Sequence, residues 1–148
     1  MSKQIGSMHH VGIVVRDLRQ AEAFVTAALG LPVVKRLESA ELGVSMVFLA
    51  CGPALVELIE WADPQLVRER LGDRVAAIDH VALAVDDLEH AVRQVASHGV
   101  GTVSPVPMTT PLGRMHFTQP ETSAGIIWQL LELADGKPAD ADAHPAGG

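Results

Sequence analysis

The sequence has one cysteine, Cys51. An intrachain disulfide is therefore excluded. Cys51 falls at a predicted turn, with no neighbour that marks it as a nucleophile. Cations are also few: 11 Lys and Arg stand against 18 Asp and Glu, a formal net charge of -7. They are scattered, which excludes the basic stripe that a nucleic-acid partner requires. A carboxylate or phosphate substrate would have to be held by a few local cations or by a metal. No run approaches the roughly 20 apolar residues that span a bilayer. Residues 1–8 lack the apolar stretch of a signal peptide. A soluble, cytoplasmic protein is expected. What is present is a core: 48% of the 148 residues are hydrophobic, enough for one compact domain. Residues 135–148, dominated by Ala, Asp, Gly and Pro, have almost nothing to bury and are expected to form a disordered tail.

The chain repeats itself. HVGIVVRDLRQA from His10 aligns with HVALAVDDLEHA from His80, at an offset of 70 with six of twelve positions identical. LVELIE from Leu55 aligns with IWQLLE from Ile127, at an offset of 72. Two matches at nearly one offset point to a duplicated unit, and a duplication sets the architecture.

Each half has the same grammar. Residues 11–15 and 81–85 are aliphatic and suit strands. Asp17 and Asp87 can cap the helices that follow. Leu18, Ala21, Phe24, Val25, Ala28 and Leu29 form one apolar stripe, and Leu88, Ala91, Val92, Val95 and Ala96 form the other. Gly30 and Gly99 are stop signals. Three further strands complete each half, near 33–37, 44–49 and 55–61 in the first and near 102–106, 115–118 and 126–133 in the second. The fold class is α+β, with two tandem βαβββ modules over 8–62 and 78–134. A linking helix over 63–72 starts at Asp63-Pro64. A unit of about 55 residues cannot easily bury its own sheet, so the modules are expected to join as one domain over 8–134.

The repeat carries a chemical pattern. Side chains alternate along a strand, so Gly12 and Val14 share the face of His10, and Ala82 and Ala84 share that of His80. The bulky Val11, Ile13, Val15, Val81, Leu83 and Val85 take the other face, towards the helices. Small neighbours leave space beside each imidazole. Glu57 and Gln129 sit mid-strand between apolar residues, where a lone carboxylate is costly unless paired or metal-bound. Two imidazoles, a carboxylate and a carboxamide oxygen suit a borderline divalent ion. The alternative is that each is an ordinary core or edge residue. Against it stands the coincidence of all four at matched repeat positions.

At these residues the chain resembles the vicinal oxygen chelate superfamily, over about 8–134. Within it, HVGIVV from His10, VELIE from Val56, DHVALAV from Asp79 and FTQPETSAGIIWQL from Phe117 are similar to segments of methylmalonyl-CoA epimerase, whose pattern at the last is FLHPKxxxGVxxEL. The resemblance implies a curled mixed sheet around a central metal cleft. It also implies metal ligands at His10, Glu57, His80 and Gln129, for Co, Ni, Mn, Zn or Fe, and commonly a homodimer. The chain departs from the epimerase twice. The epimerase has Gln at the Glu57 position and Glu at the Gln129 position; here they are exchanged. It also has a catalytic Glu where Gly43-Val44-Ser45 here leads to Met46, which cannot take a proton.

A turn centred near Thr122 places His116 across from Gln129, and one centred near residues 51–52 places Met46 across from Glu57. On that register His116 is the counterpart of Met46 and a candidate proton-transfer group beside Glu57; the alternative is a solvent-facing His116. Met46 and Arg114 are candidate substrate contacts, although Arg114 also reads as a surface residue. Glu60 and Glu132, on the opposite strand face from the ligands, read as structural or solvated. His9 and His90 read as solvated, and Phe48, Phe117, Trp61 and Trp128 as core or interface.

The leading expectation is a metal-dependent isomerase, epimerase or lyase that moves a proton beside a carbonyl. Its substrate would be an acyl-CoA or a 2-oxo or thioester compound. Lactoylglutathione lyase is a close relative of this reading. An Fe(II) ring-cleaving dioxygenase would use two His and one carboxylate, but extradiol members place that carboxylate at the Gln129 position. A non-catalytic resistance-type binder would typically lack the full ligand set.

Overall fold

The helices begin where the carboxylates allow them to begin. Asp17 accepts a hydrogen bond from Gln20 N at 3.0 Å and opens α1 (Leu18–Ala28), and Asp87 accepts from His90 N at 2.9 Å and opens α3 (Leu88–Ala96). Each helix has a second carboxylate at its start. Glu60 accepts from Leu18 N at 2.6 Å, and Glu132 accepts from Leu88 N at 2.9 Å. The two glutamates are thus structural, stapling a helix N-terminus to a strand and meeting its positive dipole end. Both helices run out before glycines in the left-handed region, Gly30 at φ 71° and Gly99 at φ 84°.

The computed structural model describes residues 5–135; of the tail expected over 135–148, residues 136–148 lie outside the described residues. Its strands are β1 (Ile5–Val15), β2 (Val33–Ser39), β3 (Val44–Cys51), β4 (Ala54–Trp61), β5 (Ala76–Val85), β6 (Met108–Thr110), β7 (Gly113–Phe117) and β8 (Trp128–Leu133). The link α2 (Pro64–Leu71) is capped by Asp63, whose side chain accepts from Gln65 N at 2.9 Å. The element order is therefore βαβββ twice. The sheet order is β2-β3-β4-β1-β5-β8-β7-β6. In each module the first strand runs parallel to the last, β1 with β4 and β5 with β8, and the last three strands are antiparallel.

Packing divides the chain into two compact units whose borders fall inside β1 and β5. One comprises residues 10–79; the other, among the described residues, comprises 5–9 with 80–135. In the first unit Ile13, Val15, Leu49 and Leu58 pack against Leu18, Ala21 and Val25 of α1. On the other face of its sheet Val14, Val44 and Ile59 pack against Leu71 and Val67 of α2. In the second unit Val85 and Leu130 pack against Leu88, Ala91, Val92 and Val95 of α3, with Ile5 beside them.

Four expectations are corrected. The α1 stripe is narrower than its sequence suggests. Phe24 and Leu29 are 60% and 58% exposed, and Ala28 is exposed, because Leu18, Ala21 and Val25 alone face the sheet and Phe24 lies about 100° round the helix from Val25. Ala96 of α3 is likewise exposed. β1 and β5 extend well before residues 11 and 81. In the second unit Gly6 lies so close to β5 that a Cβ there would stand 2.6 Å from the Ala84 carbonyl oxygen, so backbone proximity makes this polar stretch a strand. His9, within that extension, is buried at 4% exposure rather than solvated. Finally, 102–106 is not a strand. Thr102 makes one bridge, to Thr118, and the ladder resumes at Met108, because Pro105 and Pro107 offer no N–H to a neighbour.

Candidate functional site

Within residues 10–79 the parallel pairing of β1 with β4 sets Gly12 beside Glu57, and the antiparallel pairing of β3 with β4 sets Phe48 on its other side. His10 and Glu57 are both buried, and His10 Nε2 lies 3.0 Å from Glu57 Oε2. The Phe48 ring stands perpendicular to the His10 ring at 87°, with centroids 5.6 Å apart. The sequence permits this crowding because Gly12 carries no side chain beside Glu57.

The second unit repeats the arrangement. β5 sets Ala82 beside Gln129, and β7 sets Phe117 on its other side. His80 and Gln129 are buried, and the Phe117 ring is perpendicular to the His80 ring at 87° and 5.5 Å. The carboxamide of Gln129 is not fully satisfied. Its Nε2 donates to Met115 Sδ at 2.7 Å, while its Oε1 is buried without a hydrogen-bond partner. Native proteins seldom bury an acceptor in this way without a ligand, water or ion to meet it.

His10 and Glu57 in one unit and His80 in the other are buried, and each carries the donor chemistry to hold a metal ion. The donor set fits a divalent cation: imidazole nitrogens and oxygen donors suit the borderline first-row metals. The orphaned Gln129 Oε1 is a further neutral oxygen donor.

The proton-transfer and substrate residues expected from sequence are placed differently. The segment 118–127 holds a 3-10 turn at Pro120–Thr122 and a left-handed pair, Ala124 at φ 60° and Gly125 at φ 81°. It sets Phe117, not His116, opposite Gln129; His116 pairs with Leu130. A shift of one residue turns a side chain to the other face, so His116 lies on the face opposite Gln129. There, burial lowers its pKa below the ordinary histidine value, with the nearby Arg114 cation adding to the shift and Glu89 opposing it. Glu57 likewise faces Phe48, and Met46 pairs one step along with Ile59. Met46 keeps the Glu57 face but packs with Val14 and Ile59 in the apolar cluster. Arg114 is engaged by carboxylates rather than left for substrate. It reaches Glu89 at 2.7 Å and Glu132 at 3.2 Å, and it pulls the Glu89 carboxyl below its usual range. The sequence reading missed Phe48, Phe117 and Met115 as neighbours of the ligand candidates. The repeat contained the signal: Phe48 and Phe117, like Met46 and Met115, are 69 apart.

The family model of the Glyoxalase/Bleomycin resistance protein/Dioxygenase superfamily matches residues 9–116. The chain belongs to this superfamily. It is 27% identical over 131 residues to the mitochondrial methylmalonyl-CoA epimerase of Dictyostelium discoideum, covering 86% of this chain and 79% of the relative. The crystal structure of methylmalonyl-CoA epimerase from Mycobacterium tuberculosis matches with a TM-score of 0.80 at 26% identity, over 90% of this chain and 93% of that one. A methylmalonyl-CoA epimerase in complex with methylmalonyl-CoA and NH4+ shares the fold, with a TM-score of 0.80 at 21% identity over 90% and 99% of the two chains. Among the described residues no helix is long and apolar enough to cross a membrane.

Proposed function

We propose that the chain is a divalent-metal-dependent epimerase acting on a 2-branched acyl-CoA. In this reading His10, Glu57, His80 and Gln129 are its metal ligands. The observation that carries the reading is the matched burial of His10 with Glu57 and of His80 with Gln129, with Gln129 Oε1 left to be satisfied. The epimerases to which the chain is similar supply the reaction class and the methylmalonyl-CoA substrate.

A bound ion supplies Lewis acidity, polarising the oxygens of a substrate carbonyl and stabilising charge that develops there. The protein does the rest. His10 and His80 present nitrogen donors from buried strand positions. Gly12 and Ala82 keep bulk away from the ligand side chains. Phe48 and Phe117 shield the imidazoles from water. Met46 and Met115 cannot carry a proton, and His116 lies on the other face of the β7–β8 ladder. Abstraction of the α proton is therefore assigned to the Glu57 carboxylate, and the epimer forms when the planar enolate takes a proton from water on its opposite face.

The test is solvent exchange. Metal-loaded protein in deuterium oxide is incubated with methylmalonyl-CoA and other 2-branched acyl-CoA thioesters, and α-deuterium is read by mass spectrometry. Uptake that falls at least 100-fold in Glu57→Gln is the expected result. Lack of uptake on every thioester contradicts the epimerase reading, and undiminished uptake in Glu57→Gln contradicts the role of Glu57.

A further inference from the structure

We infer that Phe48 and Phe117 are a matched pair of positioning residues, each fixing the ring plane of one ligand histidine. The inference rests on the metal reading above and concerns how that site is aimed.

Three observations carry it. First, the two contacts have the same geometry: 5.6 Å and 87° for Phe48 on His10, and 5.5 Å and 87° for Phe117 on His80. Second, each phenylalanine occupies the same register position, directly across an antiparallel ladder from the other ligand candidate of its unit. Phe48 pairs with Glu57, and Phe117 with Gln129. Rows across three strands then read Phe48, Glu57, Gly12 and Phe117, Gln129, Ala82. Directly opposed residues share a face, so one ladder supplies both a ligand and the group that orients a second ligand. Third, the pair is kept where other members of the two rows are not. Glu57 and Gln129 differ between the units, as do Gly12 and Ala82, whereas the two histidines and the two phenyl rings are the same.

The chemistry follows from the ring. An imidazole can rotate about its Cβ–Cγ bond through a broad, roughly two-fold well. A perpendicular phenyl ring narrows that well, because aromatic pairs favour edge-to-face contact. The lone pair of the donor nitrogen is then aimed before any ion arrives. Ligand histidines are usually oriented by a hydrogen bond from the other ring nitrogen; here a ring contact adds a second restraint, built identically into both halves.

The experiment loads Co(II) into the wild-type protein and into Phe48→Leu, Phe117→Leu and Phe117→Tyr. Affinity is read by competition with a chelator, and ligand geometry by the visible absorption of Co(II). Leu58→Val serves as a core control that touches neither imidazole. Phe117 is only half-buried, so its variants remain informative if Phe48→Leu folds poorly. The expected result is Co(II) binding weakened about 10- to 100-fold in both leucine variants, with a changed absorption spectrum. Phe117→Tyr, which keeps the ring, should restore both, and Leu58→Val should lower stability without altering the spectrum. Wild-type affinity and spectrum in either leucine variant overturn the inference while leaving the metal reading intact. A wild-type protein that binds no Co(II) overturns both.

Discussion

Gln129 and His116 give opposite lessons about burying a polar side chain. Gln129 keeps an unsatisfied oxygen at 3% exposure. Removing such a group relieves a desolvation cost of about 1–3 kcal/mol, partly offset here by the lost contact to Met115. Gln129→Leu should therefore leave the metal-free protein as stable as wild type or more so in urea unfolding, while weakening divalent-metal binding at least ten-fold in a chelator titration. A change of the same sign in both measurements would mean that Gln129 is a structural residue. His116 is buried without a place among the ligands. Its pKa is held below the ordinary value of 6.5, chiefly by burial. The unfolded chain therefore binds the proton more readily. The stabilisation from the neutral ring is complete above pH 6.5 and is lost as the pH falls through the lowered value. His116→Leu should flatten the acid side of the stability profile, measured as urea midpoints between about pH 7.5 and 4.5. α-Deuterium exchange should be unchanged.

At the scale of elements, the two carboxylate staples do the positioning. Glu60 ties α1 to β4 three residues beyond Glu57, and Glu132 ties α3 to β8 three residues beyond Gln129. Replacing Glu60 with Ala should cost about 1–2 kcal/mol, as for the loss of a charge-assisted helix cap. Amide exchange should speed up in the first turn of α1 and not in α3. Glu132→Ala should do the converse and release Arg114 from one of its two carboxylates. Much of this level was legible in the sequence. The aspartate caps, the glycine stops, the βαβββ order and the four ligand candidates follow from periodicity and from the repeat. What was not legible was register. Strand alternation fixes which residues share a face within one strand. The pairing across β7 and β8 depends on a ten-residue connection that folds through a 3-10 turn and the left-handed Ala124–Gly125 pair. One residue of error there exchanged His116 for Phe117. The extensions of β1 and β5 were hidden for a different reason. Backbone pairing, not apolar alternation, makes residues 5–9 a strand.

At the scale of the whole chain, a duplicated module has kept part of its buried pattern and diversified the rest. The histidines and the phenyl rings are repeated, while the oxygen donors are a carboxylate in one unit and a carboxamide in the other. Binding of one ion to the folded chain would stabilise it. Saturation at 100 times the dissociation constant adds about 2.7 kcal/mol, which for a chain of this length raises the melting temperature by roughly 5–10 °C. Chelation should reverse that shift, read by calorimetry before and after. The most direct test of the central claim is native mass spectrometry of the metal-loaded protein beside His10→Ala and His80→Ala. One divalent ion per wild-type chain and none in either variant is the expected result. An ion retained in either variant, or no ion in the wild type, would contradict it.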